Sequence, residues 1–335
     1  MKLVLFGAGA FGVPTFEKLN AEHDVLAVYT QPSRPAGRKR VLTPTPVGAW
    51  AAKCGLAVHE VQDVNAPEVV EQVAALAPEA SVVIAFGQKL SPDLIGVMGA
   101  LAMNLHSSLL PKYRGAAPIH WAVINGDAQT GVSVIGLAQR MDAGAVYARV
   151  ATAIDPRETT GELHDRLAAD LGPGAVAGVL EQLAAGTLAP LEQDHTAATR
   201  ARKLTKADGT VRFDQSAAAA RAKVHGLTPW PGCRVNWFVK GDVKGETETK
   251  PRSLLLRRVA DHVGNGCDNA ARPVSTVGVI GSDLRVACAS GALELLELQA
   301  PGGKAQPFDV FVRGHGLKPG DWFEPVVPEA KAKSQ

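Results

Sequence analysis

Asn104 and His106 are the residues whose types and spacing most directly suggest chemistry in this chain. Two positions apart in an extended segment, their side chains leave the same face about 6.6 Å apart along the strand, while Leu105 turns the other way. An amide NH2 and an imidazole NH presented together can converge on a carbonyl oxygen that becomes negative as a nucleophile adds to its carbon, so the pair suggests acyl transfer. A histidine near a strand end also has a plainer use, as a hydrogen-bonded structural group. The apolar run 102–105 suits the buried end of a strand, and Pro111 and Gly115 cannot extend it, so Asn104 and His106 stand where strand gives way to loop.

The residues just downstream of this pair form a pattern that regular structure does not require. The run Ser108-Leu109-Leu110-Pro111-Lys112-Tyr113-Arg114-Gly115-Ala116-Ala117-Pro118-Ile119 resembles the signature of the methionyl-tRNA formyltransferases, a 10-formyltetrahydrofolate-dependent family, including the Asn-x-His upstream of it. The resemblance implies that Asn104 and His106 are catalytic, with Asp142 of Met141-Asp142-Ala143-Gly144 as a third catalytic residue. It places Ser108, Leu109, Leu110 and Pro111 along the folate site, together with Phe86, Gly87, Gln88 and Leu90. Where the family often carries an acidic residue after the glycine of that turn, this chain has Ala145.

The implied reaction moves a formyl group from 10-formyltetrahydrofolate, as co-substrate, to the α-amine of methionyl initiator tRNA by direct attack of the amine, in translation initiation. It calls for no metal and no covalent enzyme intermediate, and neither Ser107 nor Ser108 lies in a Gly-x-Ser-x-Gly elbow. A formylfolate hydrolase, a formyltransferase acting on another amine, a nucleotide-binding oxidoreductase and a non-catalytic RNA-binding module are the competing readings.

A large polyanionic substrate needs basic surface, and two stretches supply it. Between Gln31 and His59 there is no Asp or Glu, while Arg34, Arg38, Lys39 and Arg40 lie inside. On composition such a run is either a solvated mobile loop or one that orders on RNA. The segment Arg34-Pro35-Ala36-Gly37-Arg38 is similar to the insertion loop, here 31–46, that the family uses on the tRNA acceptor arm. The second stretch, 195–207, holds Arg200, Arg202, Lys203 and Lys206 without one acid. Arg34, Arg38, Lys39, Arg40, Arg202, Lys203 and Lys206 are therefore the expected tRNA contacts.

The elements that must position these groups read as an α/β alternation. Strands are predicted over 3–6, 25–29, 57–59, 81–85, 102–105, 131–137 and 146–151, with helices near 14–20, 47–54, 67–75 and 118–125. This pattern predicts an open, mostly parallel Rossmann-like sheet with helices on both faces, whose ligands lie beyond the carboxyl ends of the strands. Gly7-Ala8-Gly9-Ala10-Phe11-Gly12 has the Gly-x-Gly-x-x-Gly form of a dinucleotide fingerprint, but the second strand closes on Thr30-Gln31-Pro32 without the ribose-binding carboxylate. These glycines are expected to serve a tight turn and helix packing. Thr159-Thr160-Gly161-Glu162 has the form of a capping box before Leu163, Leu167 and Leu171, and Gly172-Pro173-Gly174 is expected to break that helix before a second helical piece that ends near Gly186.

Beyond 187 the periodicity fades into a linker, 188–208, and short predicted strands over 211–213, 234–238, 254–259, 276–280, 284–287 and 293–298 suggest a small, OB-like β-barrel. The expected division is a catalytic domain 1–187, a linker 188–208, a tRNA-binding barrel 209–328 and a frayed tail 329–335. Thr228-Pro229-Trp230-Pro231 looks like the family's Asn-Pro-Trp-Pro segment, with its tryptophan expected to pack; His120 and Trp121 are expected to be packing or surface residues.

Composition bounds the rest. A chain of 335 residues suggests about two domains, and a net charge of +2 announces no nucleic-acid partner by itself, so any such contact must be local. Cys54, Cys233, Cys267 and Cys288 are scattered without metal-ligand spacing, which fits a reduced, cytoplasmic setting. No signal peptide or membrane span is expected, and the protein is expected to be a monomer. The tRNA identity elements and the role of the 240–252 loop are not legible in the residues.

Overall fold

The computed structural model describes residues 1–37, 39–240, 251–262 and 276–326. The chain forms two compact units. One comprises residues 1–118, 129–152 and 164–201, and the other comprises 119–128, 153–163 and 202 onward.

In the first unit the strands are β1 (Lys2–Gly7), β2 (Asp24–Thr30), a hairpin of β3 (Arg34–Ala36) and β4 (Val41–Thr43), β5 (Val58–Glu60), β6 (Ala80–Ile84), β7 (Leu101–His106), β8 (Arg114–Gly115), β9 (Gln129–Gly136), β10 (Val146–Ala153) and β11 (Arg200–Ala201). Seven of them make one sheet in the order β10-β9-β7-β6-β1-β2-β5. β1 pairs in parallel with β2 and β6, as do β2 with β5 and β6 with β7, while β7 meets β9 antiparallel. The expected open, mostly parallel sheet is what forms.

Both faces of this sheet are covered because its central strands are apolar throughout. Val4, Phe6, Ala27, Tyr29 and Val83 point to one face and pack with Val69 and Val73 of the helix Pro67–Leu76 and with Leu94 of Pro92–Gly96. On the other face, Phe16 of the helix Val13–Glu22 is fully buried, and that helix packs on the helix Gly172–Ala184. Continuous burial of this kind marks a parallel sheet layered on both sides. The glycines of the fingerprint-like run belong to this packing: a Cβ on Gly7 would stand 2.6 Å from Phe16 Cε2, and one on Gly12 3.2 Å from Ile84 Cβ.

Two expectations change here. Thr159 and Glu162 do form the reciprocal cap, with the carboxylate accepting from Thr159 N at 2.8 Å, and the second helical piece does follow, but the irregularity comes before Gly172-Pro173-Gly174 rather than at it. Residues Leu167–Leu171 widen into a π turn, and the next helix starts at Gly172 with Pro173 in its first turn, where its missing N–H costs nothing. The stretch 188–208 divides between the units, its part up to Ala201 falling in the first and the rest, with a 3-10 turn from Lys206, in the second.

In the second unit an antiparallel sheet of β12 (Cys233–Phe238), β13 (Arg252–His262), β14 (Val286–Ala287), β15 (Ala292–Gln299), β16 (Ala305–Pro307) and β17 (Trp322–Pro325) runs in the order β14-β15-β13-β12-β17, with β16 on β15. Isolated bridges Val279↔Trp322 and Ile280↔Val286 tie the two outer strands to one segment, which nearly closes the sheet into the expected barrel. Residues 211–213 and most of 276–280 are not strands, and the helix Ala217–Gly226, capped by the Ser216 hydroxyl, was not expected. Trp230 does not pack as expected: it is 48% exposed. The 240–252 loop lies outside the described residues except at its ends, as do Arg38, Cys267 and the tail. No helix among the described residues is long and apolar enough to cross a membrane.

Candidate active site

β7 carries the expected pair to the carboxyl end of the sheet. Asn104 lies opposite Val83 of β6 and Ile135 of β9, and His106 lies opposite Ser133. Leu105 between them is buried, as the alternation requires. Among the described residues the Asn104 side-chain amide, which is half-buried, has no hydrogen-bond partner.

His106 is 6% exposed, with one ring nitrogen hydrogen-bonded and the other facing a carboxylate. Nε2 lies 2.9 Å from the Tyr113 carbonyl oxygen, and since a carbonyl only accepts, Nε2 carries the hydrogen. Nδ1 faces Asp142, 3.7 Å from Oδ1, so the structure brings the two together. The other carboxylate oxygen of Asp142 accepts from Gly115 N at 2.8 Å.

The two residues flanking the imidazole both adopt left-handed backbone, Tyr113 with φ 63° and Asp142 with φ 53°. Such conformations cost about 1–3 kcal/mol and persist where the surroundings over-determine them. Those surroundings come from the stretch 191–201. Leu191 bridges Val146, Thr199 Oγ1 accepts from Tyr113 N at 2.8 Å, and β11 pairs with β8. Gln193, 5% exposed, donates from Nε2 to the carbonyls of Asp142 (2.9 Å) and Gly144 (2.7 Å) and accepts from Arg114 at 2.6 Å. Nothing in the sequence distinguished Gln193 from any other glutamine.

Two glycines are dictated by close approach. A Cβ on Gly144 would stand 1.9 Å from Gly136 O, and one on Gly115 2.6 Å from Ala201 O. Ala145, the departure from the family pattern, contributes its backbone here, accepting from Gly136 N at 2.9 Å.

The residues expected along a folate site divide into two groups. Gly87, at φ 86°, is exposed in the turn that leaves β6 next to the Asn104 strand, Gln88 and Leu90 are half-buried, and Ala85, not among the expected residues, is exposed beside them. This exposed turn beside a partnerless amide, at the carboxyl ends of parallel strands, fits a hydrogen-bonding heterocyclic substrate. Phe86 is instead a core residue, edge-on to Phe6 at 5.8 Å, and the Gln88 amide is spent on Val64 N and Val61 O. Ser108 is fully buried with its hydroxyl donating to Lys112 O at 2.6 Å, which removes it as a nucleophile. Leu110 packs with Ile135 and Val146, while Leu109 and Pro111 are half-buried.

Of the basic residues, Arg34, Lys39 and Arg40 are exposed on the β3–β4 hairpin, whose base is clamped by Glu60 accepting from Ser33 N and Oγ. Val41 and Leu42, exposed at 60% and 66%, lie beside them. Lys203 and Lys206 are exposed in the second unit. Arg202 is not a free cation: its guanidinium pairs with both oxygens of Asp208 and lies over the Trp121 ring at 5.1 Å. That pairing holds the Asp208 carboxyl down to about 2. Among the described residues no group of three or more His, Cys, Asp or Glu could hold a metal ion.

Comparison with known proteins gives the same picture at the level of whole chains. Residues 1–177 match the family model described as formyl transferase, and 203–316 match that of the formyl transferase C-terminal domain. The methionyl-tRNA formyltransferase of Geotalea daltonii is 36% identical over 321 residues, 96% of this chain and 97% of that protein. That of Sorangium cellulosum is 38% identical over 324 residues, 96% and 98% of the two chains. Among solved structures, an N-formyltransferase from Helicobacter canadensis in complex with folinic acid and dTDP-3-aminofucose aligns with a TM-score of 0.63 at 11% identity, covering 88% of this chain and 98% of that one. HypX from Aquifex aeolicus in complex with tetrahydrofolic acid aligns at 0.57 and 16% identity over 99% of this chain and 50% of its own.

Proposed function

We propose, from the premise that the chain belongs to the formyl transferase family, that it transfers the formyl group of 10-formyltetrahydrofolate to the α-amine of methionyl initiator tRNA. The observation that carries the reading is the approach of His106 Nδ1 to Asp142 Oδ1, 3.7 Å, at the strand end that also presents the partnerless Asn104 amide.

The substrate amine attacks the formyl carbon, a C–N bond forms, and the bond from that carbon to the folate nitrogen breaks. Asn104 donates to the formyl oxygen as it gains charge, a contribution worth roughly 10²–10³ in rate for one such donor. The proton lost by the amine ends on the folate nitrogen. His106 Nδ1, backed by Asp142, is the group placed to move it, since Nε2 is committed to Tyr113. Ala85, Gly87, Leu90, Leu109 and Pro111 are the residues with surface to offer the folate.

The tRNA is held by exposed charge rather than by the groups around His106. Arg34, Lys39 and Arg40 on the hairpin, with Arg38 between them in sequence and Lys203 and Lys206 on the second unit, supply phosphate contacts; Arg202, already paired, adds least. Within this reading the barrel of 209–328 serves tRNA binding, 1–187 serves catalysis with the stretch 191–201 that buttresses its site, and the protein acts as a cytoplasmic monomer.

Incubation with 10-formyltetrahydrofolate and charged initiator or elongator tRNA is the deciding assay. The expected product is formylmethionyl-tRNA from the initiator alone. Formate release without tRNA would instead make the protein a formylfolate hydrolase, and no product from either would overturn the proposal.

A further inference from the structure

We propose that Gln193 is a positioning residue that sets the Asp142 carboxylate against His106. The inference rests on the reading of Asp142 as part of the proton path. Asp142 sits in left-handed backbone, φ 53°, on a turn followed by Gly144 and half-exposed Ala145. A carboxylate on such a turn can rotate away from its partner unless the backbone beneath it is fixed.

Gln193 fixes it from the far side. One amide nitrogen donates to two carbonyls of the same turn, those of Asp142 and Gly144, so both hydrogens of the NH2 are used on one short stretch of backbone. The amide oxygen is held in turn by Arg114, through Nη2 at 2.6 Å and Nε at 3.2 Å, and Arg114 Nη2 also lies 2.9 Å from His195 Nδ1. Arg114 adjoins Gly115, whose N–H binds the Asp142 carboxylate itself. The carboxylate is therefore located twice over from the same loop: directly by Gly115, and through Gln193 by Arg114. A glutamine 5% exposed with every polar atom of its side chain engaged is a fixed bracket rather than a surface residue.

Displacing a reacting group by about 1 Å can cost on the order of 100-fold in rate. Gln193→Ala is expected to lower kcat by about 10- to 100-fold with the KM for tRNA and for the folate unchanged within about twofold. If Gln193 acts through Asp142, the same substitution in an Asp142→Asn background costs less than about twofold more. Gln193→Glu, which keeps the acceptor toward Arg114 and loses both donated bonds, must show the same loss, and it serves where Gln193→Ala does not fold. Parental kcat in either variant, or losses that multiply in the Asp142→Asn background, overturn the proposal. Parental kcat in Asp142→Asn itself strikes at the proton path instead, so the two failures are distinguishable.

Discussion

The cluster of Asn104, His106 and Asp142 and the basic hairpin of β3 and β4 lie in one compact unit and are built on opposite plans. Around His106 each ring nitrogen has a neighbour, the flanking residues are held in left-handed backbone, and close glycine contacts leave no room to shift. On the hairpin Arg34, Lys39 and Arg40 are exposed, two apolar side chains face solvent, and the ties are at the base, through Ser33 to Glu60 and Arg34 to Gln31. Chemistry on one oxygen requires donors fixed before the substrate arrives, because reorganisation is then already complete. Capture of a polyanion requires charge that can reach many phosphates, and each contact is weak and screened.

The contrast is open to attack, beginning where the effect is largest. Asn104→Ala is expected to lower kcat by roughly 10²–10³ with little change in folate KM, since it removes a donor used in the transition state. A loss confined to KM would show the amide to be a binding group and would erase the distinction between the regions.

Buried polar groups should also answer to pH where exposed ones do not. His225, 1% exposed, donates from Nδ1 to Pro156 O and accepts from Val259 N. Burial, with the nearby Arg221 charge, holds its imidazole down to about 4 from 6.5. The unfolded chain therefore binds a proton that the folded chain refuses between those values, and stability declines as pH falls through that window, by about 2–3 kcal/mol. Urea denaturation from pH 7 to 4.5 should show this decline in the parent and a flatter one in His225→Gln; equal slopes would refute it.

The smallest expected effect belongs to the hairpin. Lys39→Ala with Arg40→Ala should raise the tRNA KM several-fold, leave folate binding unchanged, and reduce the salt slope of tRNA binding by about 1–2, one to two phosphates' worth. An unchanged slope would leave the hairpin without a role in capture.

Much of this contrast was legible in the residues. The end of β7, the turn at Met141–Gly144 and the basic run are local patterns, and the apolar strands could be read because a sheet covered on both faces demands continuous hydrophobicity. What escaped here was also local, but carried no periodic signal. Arg202 read as one more cation, but Asp208, six residues on, takes its charge. The helix Ala217–Gly226 is alanine-rich and carries weak amphipathic patterning, so only Ser216 marked its start. Gly172-Pro173-Gly174 read as a break, yet a π turn before it accommodates the proline.

The chain by itself determined that Asn104 and His106 leave one face of a strand end together, because residue type and a period of two fix what such an end presents, whereas Asp142 was reached only through the resemblance of its turn to the family's. The distance between His106 and Asp142, the commitment of Nε2 to Tyr113, and the bracket of Gln193 beneath the turn were decided only by the folded chain. Gln193 stands 51 residues from Asp142, and Tyr113, itself only 7 from His106, is held by Thr199 86 residues on, approaches that no local pattern encodes.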